Sequence, residues 1–164
     1  MDSELRIVGR YSTSAPVNLR AIFADLCVSY HEQPIMTGES GWIERDGNNY
    51  RVVVNANEGE QRKRFTAAHE LAHYLLHRDL MDHGSRMNRH TDRLFDKAGL
   101  KQDSLFKPHH EVQANRLAAQ IIMPADLVRA KHEEGLSVEA LSSEFGVSKA
   151  AMEIRLETLG LDKR

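Results

Sequence analysis

A helical pattern of apolar and polar positions dominates the middle of the chain. From Phe65 to His77 the residues are mainly Ala, Leu and Glu, with no Gly or Pro among them, and such a run predicts a helix that Thr66 caps. Apolar stripes at helical spacing predict three more helices, the first of them opened by a proline in its first turn. Their ranges are Pro16–Tyr30, His109–Met123 and Pro124–Glu134.

A β-branched segment between the helix Pro16–Tyr30 and the helix Phe65–His77 predicts a hairpin. Gly41–Arg45 and Tyr50–Asn55 are the predicted strands, and the sequence Asp46-Gly47-Asn48-Asn49 between them is a strong turn signal. The polar segment Asn57–Arg64 predicts a connection to the next helix. Its three adjacent cations, Arg62-Lys63-Arg64, are typical of a solvated face, although they could also attract acidic side chains of a protein partner.

The segment from Arg78 to Pro108 has the least regular pattern in the chain. Its short apolar pieces are separated by Gly84, Gly99 and scattered charges, and a short helix is predicted only over Thr91–Ala98. A connection of this length inside one domain is more often a functional excursion than a plain loop.

The last part of the chain predicts two short helices joined by a tight turn. They cover Ser137–Phe145 and Lys149–Leu159, with Gly146-Val147-Ser148 between them, and this pattern is typical of a helix-turn-helix. Residues 137–164 contain four Lys/Arg and five Asp/Glu, whereas a DNA-binding unit usually has a basic face. The charge therefore favours a helical packing unit over direct DNA binding.

Composition limits the class of protein. A length of 164 residues, with 41% hydrophobic and 28% charged residues, suits one domain with a small appendage, which we place at 1–135 and 136–164. The net charge of −2 offers no electrostatic attraction for nucleic acid or a membrane surface. Cys27 is the only cysteine and is expected to be buried. Without a signal-like start or an apolar run that could span a membrane, the cytoplasm is the expected location.

The central helix contains the pattern His-Glu-x-x-His. His69 and His73 are four residues apart, so a helix places both imidazoles on one face, where they can bind the same metal ion. Glu70 follows the first histidine and is suitably placed to act as a general base on a water molecule. The alternative, an amphipathic helix with two incidental histidines, would bury two imidazoles and a carboxylate without partners, at a cost of about 1–3 kcal/mol for each group.

A catalytic zinc ion needs a third protein ligand. His77 continues the spacing, but eight residues of helix separate it from His69 by about 12 Å of rise. It is therefore expected either to support a ligand or to lie near the helix end, where its charged form is favoured. Glu111, which opens a later helix, is the better candidate, and Asn115 on the same face could hold a ligand imidazole. Glu111 could instead be a first-turn acid, and Asn115 an ordinary surface residue.

Two motifs together resemble the ImmA/IrrE family of zinc metallopeptidases. They are Arg64–His77 and Glu111–Pro124, and with the hairpin and the C-terminal helices the resemblance covers about residues 16–160. It implies an α+β fold, a compact and mainly helical zincin-like domain with a small antiparallel sheet, followed by the helix-turn-helix-like unit. It also implies zinc on His69, His73 and Glu111, with Glu70 as the catalytic base; another divalent metal such as Mn²⁺ could replace zinc.

The family resemblance implies a protein substrate, a helix-turn-helix repressor encoded nearby, whose cleavage switches on stress-response or mobile-element genes. This chain departs from the family at Gln113, where a second acid is common, and in its long link from Arg78 to His110. The alternative function is a non-catalytic, antitoxin-like module that binds a repressor, a toxin or DNA. The oligomeric state stays open.

Several residues are candidates for contacts with a peptide substrate. A donor for the oxyanion could come from His83, His109, His110 or Tyr74, and the sequence does not choose among them. In zinc peptidases the strand before the metal helix can pair with an extended substrate, so Val52, Val53 and Val54 are predicted to line the cleft edge.

Overall fold

Seven helices and one four-stranded sheet make up the part of the chain that the structure, a computed structural model, describes: residues 1–82, 89–92 and 106–163. None of the helices in these ranges is both long enough and apolar enough to cross a membrane. In chain order the elements are α1 (Asp2–Gly9), α2 (Leu19–Asp25), β1 (Ser29–Gln33), β2 (Gly41–Asp46), β3 (Asn49–Asn55), α3 (Glu60–Asp82), β4 (Arg89–Asp92), α4 (Pro108–Ile122), α5 (Ala125–Glu133), α6 (Val138–Phe145) and α7 (Lys149–Thr158).

The sheet has the strand order β1-β3-β2-β4 and is mixed. β2 pairs antiparallel with both β3 and β4, whereas β1 runs parallel to β3. The α+β class is confirmed, but the prediction of an antiparallel sheet is wrong, because β1 was not predicted and its first two residues were assigned to the preceding helix. The predicted hairpin is confirmed, since Asp46 pairs with Asn49 around a turn in which Gly47 has a φ of 62°.

The first predicted helix is shorter than the pattern indicated. It begins after Asn18, whose side chain accepts a hydrogen bond from the Ala21 amide at 3.1 Å, and it ends at Asp25. Cys27 then adopts a positive φ of 58°, which turns the chain out of the helix and into β1. Cys27 is exposed, so the prediction that it is a buried apolar residue is wrong.

β1 was missed because it is an edge strand with one half-buried face. Only alternate residues, Tyr30 and Glu32, are turned inward, and Tyr30 stacks on Phe23 of α2 with ring centroids 5.0 Å apart. Such a strand needs few apolar residues, so it lacks the β-branched signal of β3.

The position of β3 excludes it as a substrate-binding edge. Val52, Val53 and Val54 pair with β1 on one side and with β2 on the other. Their backbone groups are therefore already used inside the sheet, and the prediction that they line the cleft edge is wrong. The outer strands of this sheet are β1 and β4.

Helix α3 lies against the sheet and extends beyond both predicted ends. It starts at Glu60, so most of the predicted connection Asn57–Arg64 is helical, and Thr66 is buried inside the helix instead of capping it. The basic residues of this first part are half-buried and form intramolecular contacts, whereas a solvated face was expected. Arg62 pairs with Glu58, Lys63 with Glu32 and Glu60, and Arg64 donates to the Val17 carbonyl.

Gly41, at the start of β2, lies where the sheet and α3 are in close contact. A Cβ atom at this position would lie 2.5 Å from the Val53 carbonyl oxygen and 2.8 Å from Cγ2 of Thr66. Because both neighbours are held in the core, we expect Gly41→Ala to lower the free energy of unfolding by about 1–3 kcal/mol. Urea denaturation of the metal-free protein measures this without a contribution from metal binding.

Gly59→Ala is the matched control, since a Cβ at Gly59 meets nothing within 4 Å. If Gly41→Ala is as stable as Gly59→Ala, the sheet can move away from α3 at little cost, and the close approach is not a constraint on the fold.

The excursion after α3 contains β4. Because β4 covers Arg89–Asp92, the predicted helix Thr91–Ala98 is wrong over its first two residues, and residues 93–98 lie outside the described part of the chain, as does His83.

The C-terminal helices pack on the rest of the domain. Ser137 and Ser148 cap α6 and α7 as predicted, and Gly146 ends α6 with a φ of 68°. Their buried residues, among them Leu141, Phe145 and Met152, share one apolar core with α2, α3 and α4. The division at residues 135 and 136 stays a prediction.

Candidate metal centre

The candidate site lies between α3 and α4. Both helices bury alanines, whose small side chains allow the two backbones to approach each other. α3 carries His69, Glu70 and His73, whose side chains are all but completely buried. Glu111 lies in the first turn of α4, and its side chain is 23% exposed. Two elements that are far apart in sequence thus meet at their polar residues.

Three ligand-type atoms form a small triangle at this meeting point. Nε2 of His69 is 3.1 Å from Nε2 of His73, and Oε2 of Glu111 is 2.9 Å from the first nitrogen and 3.3 Å from the second. These are the residues that the sequence singled out as metal ligands. The structure brings all three together.

The triangle fits a metal ion by size and by chemistry. Ligand atoms about 2.0–2.1 Å from a tetrahedral zinc ion are about 3.3–3.4 Å from one another, close to the edges observed. Two imidazole nitrogens and a carboxylate oxygen also form one of the established donor sets for catalytic zinc. The residues present therefore fit a divalent cation.

Asn115 holds the first histidine. Its Oδ1 lies 2.7 Å from Nδ1 of His69, and because an amide oxygen only accepts, Nδ1 of His69 carries the proton. The unprotonated Nε2 is then turned to the triangle. This is the contact expected for Asn115 from its spacing to Glu111.

His73 has a different partner, His77, one helical turn further along. The two Nδ1 atoms are 2.9 Å apart, and Nε2 of His77 lies 2.7 Å from Oε1 of Gln113 on α4. Of the two roles expected for His77, the structure shows contact with a candidate ligand, since α3 continues past His77 to Asp82. Burial lowers the pKa of His77, which disfavours its charged form.

Gln113 was not identified as a site residue from the sequence, where it only replaced an acid common in the family. Its spacing was the available signal: it lies two residues after Glu111 and two before Asn115 on the same helix.

Phe106 covers the second histidine. Its ring stacks on the His73 ring, with centroids 4.1 Å apart and planes 10° from parallel, and it is buried. An apolar cover of this kind excludes water from one face of the imidazole. No motif marks Phe106, so sequence reasoning missed it.

With this geometry established, comparison with known proteins identifies the family. The family model for the IrrE N-terminal-like domain of Peptidase M78 matches residues 29–157, which include both histidines, Glu70 and Glu111. The chain belongs to the Peptidase M78 family. The resemblance to ImmA/IrrE proteins is therefore confirmed.

One relative within this group is the metallopeptidase ImmA of Bacillus subtilis (strain 168). It is 25% identical over 123 residues, which cover 74% of this chain and 64% of the relative. The chain thus spans less than two thirds of the length of that relative. Membership in a metallopeptidase family implies a divalent metal, in agreement with the triangle of ligand atoms.

Within this Peptidase M78 domain, Glu70 is a fully buried carboxylate directly after His69. A carboxylate removed from water is stabilised by a nearby cation. Its position next to a ligand, on the same helix, is the one that a general base requires.

Tyr74 follows Glu70 by one helical turn on α3. Its ring packs edge-on against Tyr50 of β3, 5.2 Å away, and Arg78 lies over it. A role for Tyr74 as an oxyanion donor stays a prediction.

The two histidines at the start of α4 differ in their surroundings. His109 is exposed, whereas His110 is half-buried with its ring 4.8 Å from that of His77. The Lys107 amide donates to Nδ1 of His110 at 2.9 Å. In the neutral ring the proton is therefore on Nε2, which remains a donor.

Proposed function

We propose that this chain is a zinc-dependent endopeptidase that hydrolyses a peptide bond in a protein substrate. His69, His73 and Glu111 would hold the ion, and Glu70 would act as the general base. The observation that carries the proposal is the triangle of Nε2, Nε2 and Oε2 atoms, with edges of 2.9–3.3 Å, together with the fully buried Glu70 that follows His69 directly in the helix. A purely structural zinc site would close its fourth position with another protein ligand and would not need a base.

The proposed chemistry divides between the metal and the protein. When bound, a divalent metal supplies a Lewis acid that polarises a peptide carbonyl and makes a water molecule more acidic. Glu70 accepts the proton of the attacking water and then delivers it to the leaving amine. Asn115 keeps the His69 ring in one orientation through the hydrogen bond to Nδ1.

His110 is our candidate for the group that stabilises the tetrahedral oxyanion. Its Nδ1 is engaged by the Lys107 amide, so the remaining Nε2–H is the donor that the ring can offer. His109, which is exposed, remains a weaker candidate.

For the substrate we propose a helix-turn-helix repressor encoded near this chain, as the family resemblance suggests, with regulation of stress-response or mobile-element genes as the result. The C-terminal helices do not favour direct DNA binding. Lys149 pairs with Glu139, Lys163 pairs with Glu157, and Arg155 is buried, where its Nε donates to the Met123 carbonyl. The described cations of this unit thus make intramolecular contacts.

Co-incubation with the purified repressor from the neighbouring gene tests the proposal. We expect discrete cleavage fragments with the zinc-loaded protein, no fragments after chelation, and recovery when zinc is restored. Mass spectrometry of the fragments locates the cut.

The reaction needs a negative control that retains the fold, for which the Glu70→Gln variant serves. A repressor that stays intact with the zinc-loaded protein argues against this substrate. Cleavage that continues after complete removal of metal argues against the metal-dependent mechanism itself.

A further inference from the structure

We infer that Gln113 is a positioning residue for the metal centre: through His77 it sets the tautomer of His73, so that the unprotonated Nε2 of His73 faces the ligand triangle. The inference rests on the proposed function, since it assumes that this triangle holds a metal. It assigns a role to two polar side chains, Gln113 and His77, that do not touch the proposed ion.

The assignment follows from which atoms can donate. The oxygen of Gln113 only accepts, so the contact of 2.7 Å requires a proton on Nε2 of His77. A neutral His77 protonated at Nε2 has a lone pair on Nδ1. That lone pair, 2.9 Å away, accepts the proton of Nδ1 of His73, which leaves Nε2 of His73 free of a proton.

The opposite arrangement would block the site. If Nδ1 of His77 carried the proton, Nδ1 of His73 would have to accept it, and the proton of a neutral His73 would move to Nε2. That hydrogen would point at Nε2 of His69, 3.1 Å away, and at Oε2 of Glu111, 3.3 Å away. A metal ligand must present a lone pair, so metal binding in this arrangement requires the loss of a proton.

The two ligand histidines are therefore oriented by different means. His69 receives its partner directly from α4, since Asn115 accepts from its Nδ1 at 2.7 Å. His73 lies one turn further along α3, and His77 lies between it and Gln113 of α4. Phe106 stacks on the His73 ring and keeps water from that face.

Gln113 can be substituted without disturbing the core, because the residue is exposed. We expect Gln113→Ala to weaken zinc binding about tenfold, the lower end of the range seen when the partner of a ligand histidine is removed. Gln113→Glu keeps an accepting oxygen, so its affinity should equal or exceed that of the unaltered protein. Competition with a chromophoric chelator measures all three affinities.

Gln120→Ala is the matched control, an exposed glutamine of the same helix that lies seven residues further on. Its affinity should not change. Unchanged affinity in Gln113→Ala would overturn the inference, and so would a Gln113→Glu variant that binds zinc as weakly as Gln113→Ala.

A spectroscopic signature separates positioning from general stability. In ¹⁵N-labelled, zinc-loaded protein, long-range ¹H–¹⁵N correlation spectra should show His77 protonated at Nε2 and His73 protonated at Nδ1. In Gln113→Ala the single tautomer of His77 should be lost, and in Gln113→Glu it should return. A His77 ring protonated at Nδ1 in the unaltered protein would refute the assignment.

These results also distinguish the inference from the proposed function. If the unaltered protein binds no zinc, the proposed metal centre fails and the positioning role fails with it. If the unaltered protein binds zinc and cleaves its substrate while Gln113→Ala matches it in both affinity and tautomer, only the positioning role is wrong.

Discussion

Glu70→Gln is expected to abolish measurable cleavage, with a loss of at least about 10²-fold in kcat, while zinc binding stays unchanged. The amide has nearly the same shape as the carboxylate but cannot accept the proton of the attacking water, and general base catalysis contributes about 10²–10⁴-fold. Single-turnover cleavage of the repressor substrate gives the rate, and chelator competition gives the zinc affinity.

Glu60→Gln is a matched control on the same helix, because Glu60 is an exposed residue of the first turn of α3, remote from the site. Its rate should equal that of the unaltered protein. Unchanged turnover in Glu70→Gln would remove this residue from the mechanism. A parallel loss of zinc would mean that Glu70 supports metal binding instead of proton transfer.

Glu111→Ala is expected to lower zinc affinity by at least about tenfold, and cleavage should fall with it. Loss of a residue that merely orients a ligand already costs about 10–100-fold, and Glu111 supplies the only carboxylate oxygen in the triangle of ligand atoms found in the described residues. Isothermal titration with zinc at constant pH measures the change. Glu111→Gln should fail similarly, since the amide retains the shape but lacks the negative charge.

Glu133→Ala provides the comparison for Glu111→Ala, as it removes an exposed carboxylate from the neighbouring helix α5. Its zinc affinity should not change. If Glu111→Ala retained full affinity, the third ligand would have to come from elsewhere, and the histidines between Arg78 and His110 would be the first to test.

Local patterns account for what could be predicted. The hairpin turn at Asp46–Asn49, the serine caps of α6 and α7, and the spacing of His69 and His73 each depend on residues within about one turn of one another.

Errors arose where the signal was weak or the contact distant. β1 has no alternation of apolar residues because it lies at the edge of the sheet. Since β1 was not predicted, the predicted sheet was antiparallel, whereas the observed sheet is mixed. The place of β3 inside the sheet depends on β1, so Val52–Val54 were misassigned for the same reason.

The sequence by itself indicated the family and the helix that carries His69, Glu70 and His73, and it excluded His77 as the third ligand, because helix rise and spacing are local properties. Only the tertiary structure decided how the ligands are held. The contacts of Asn115 with His69, of Gln113 with His77 and of Phe106 with His73 join residues about 30–50 positions apart, and they exist only because α3 and α4 pack side by side.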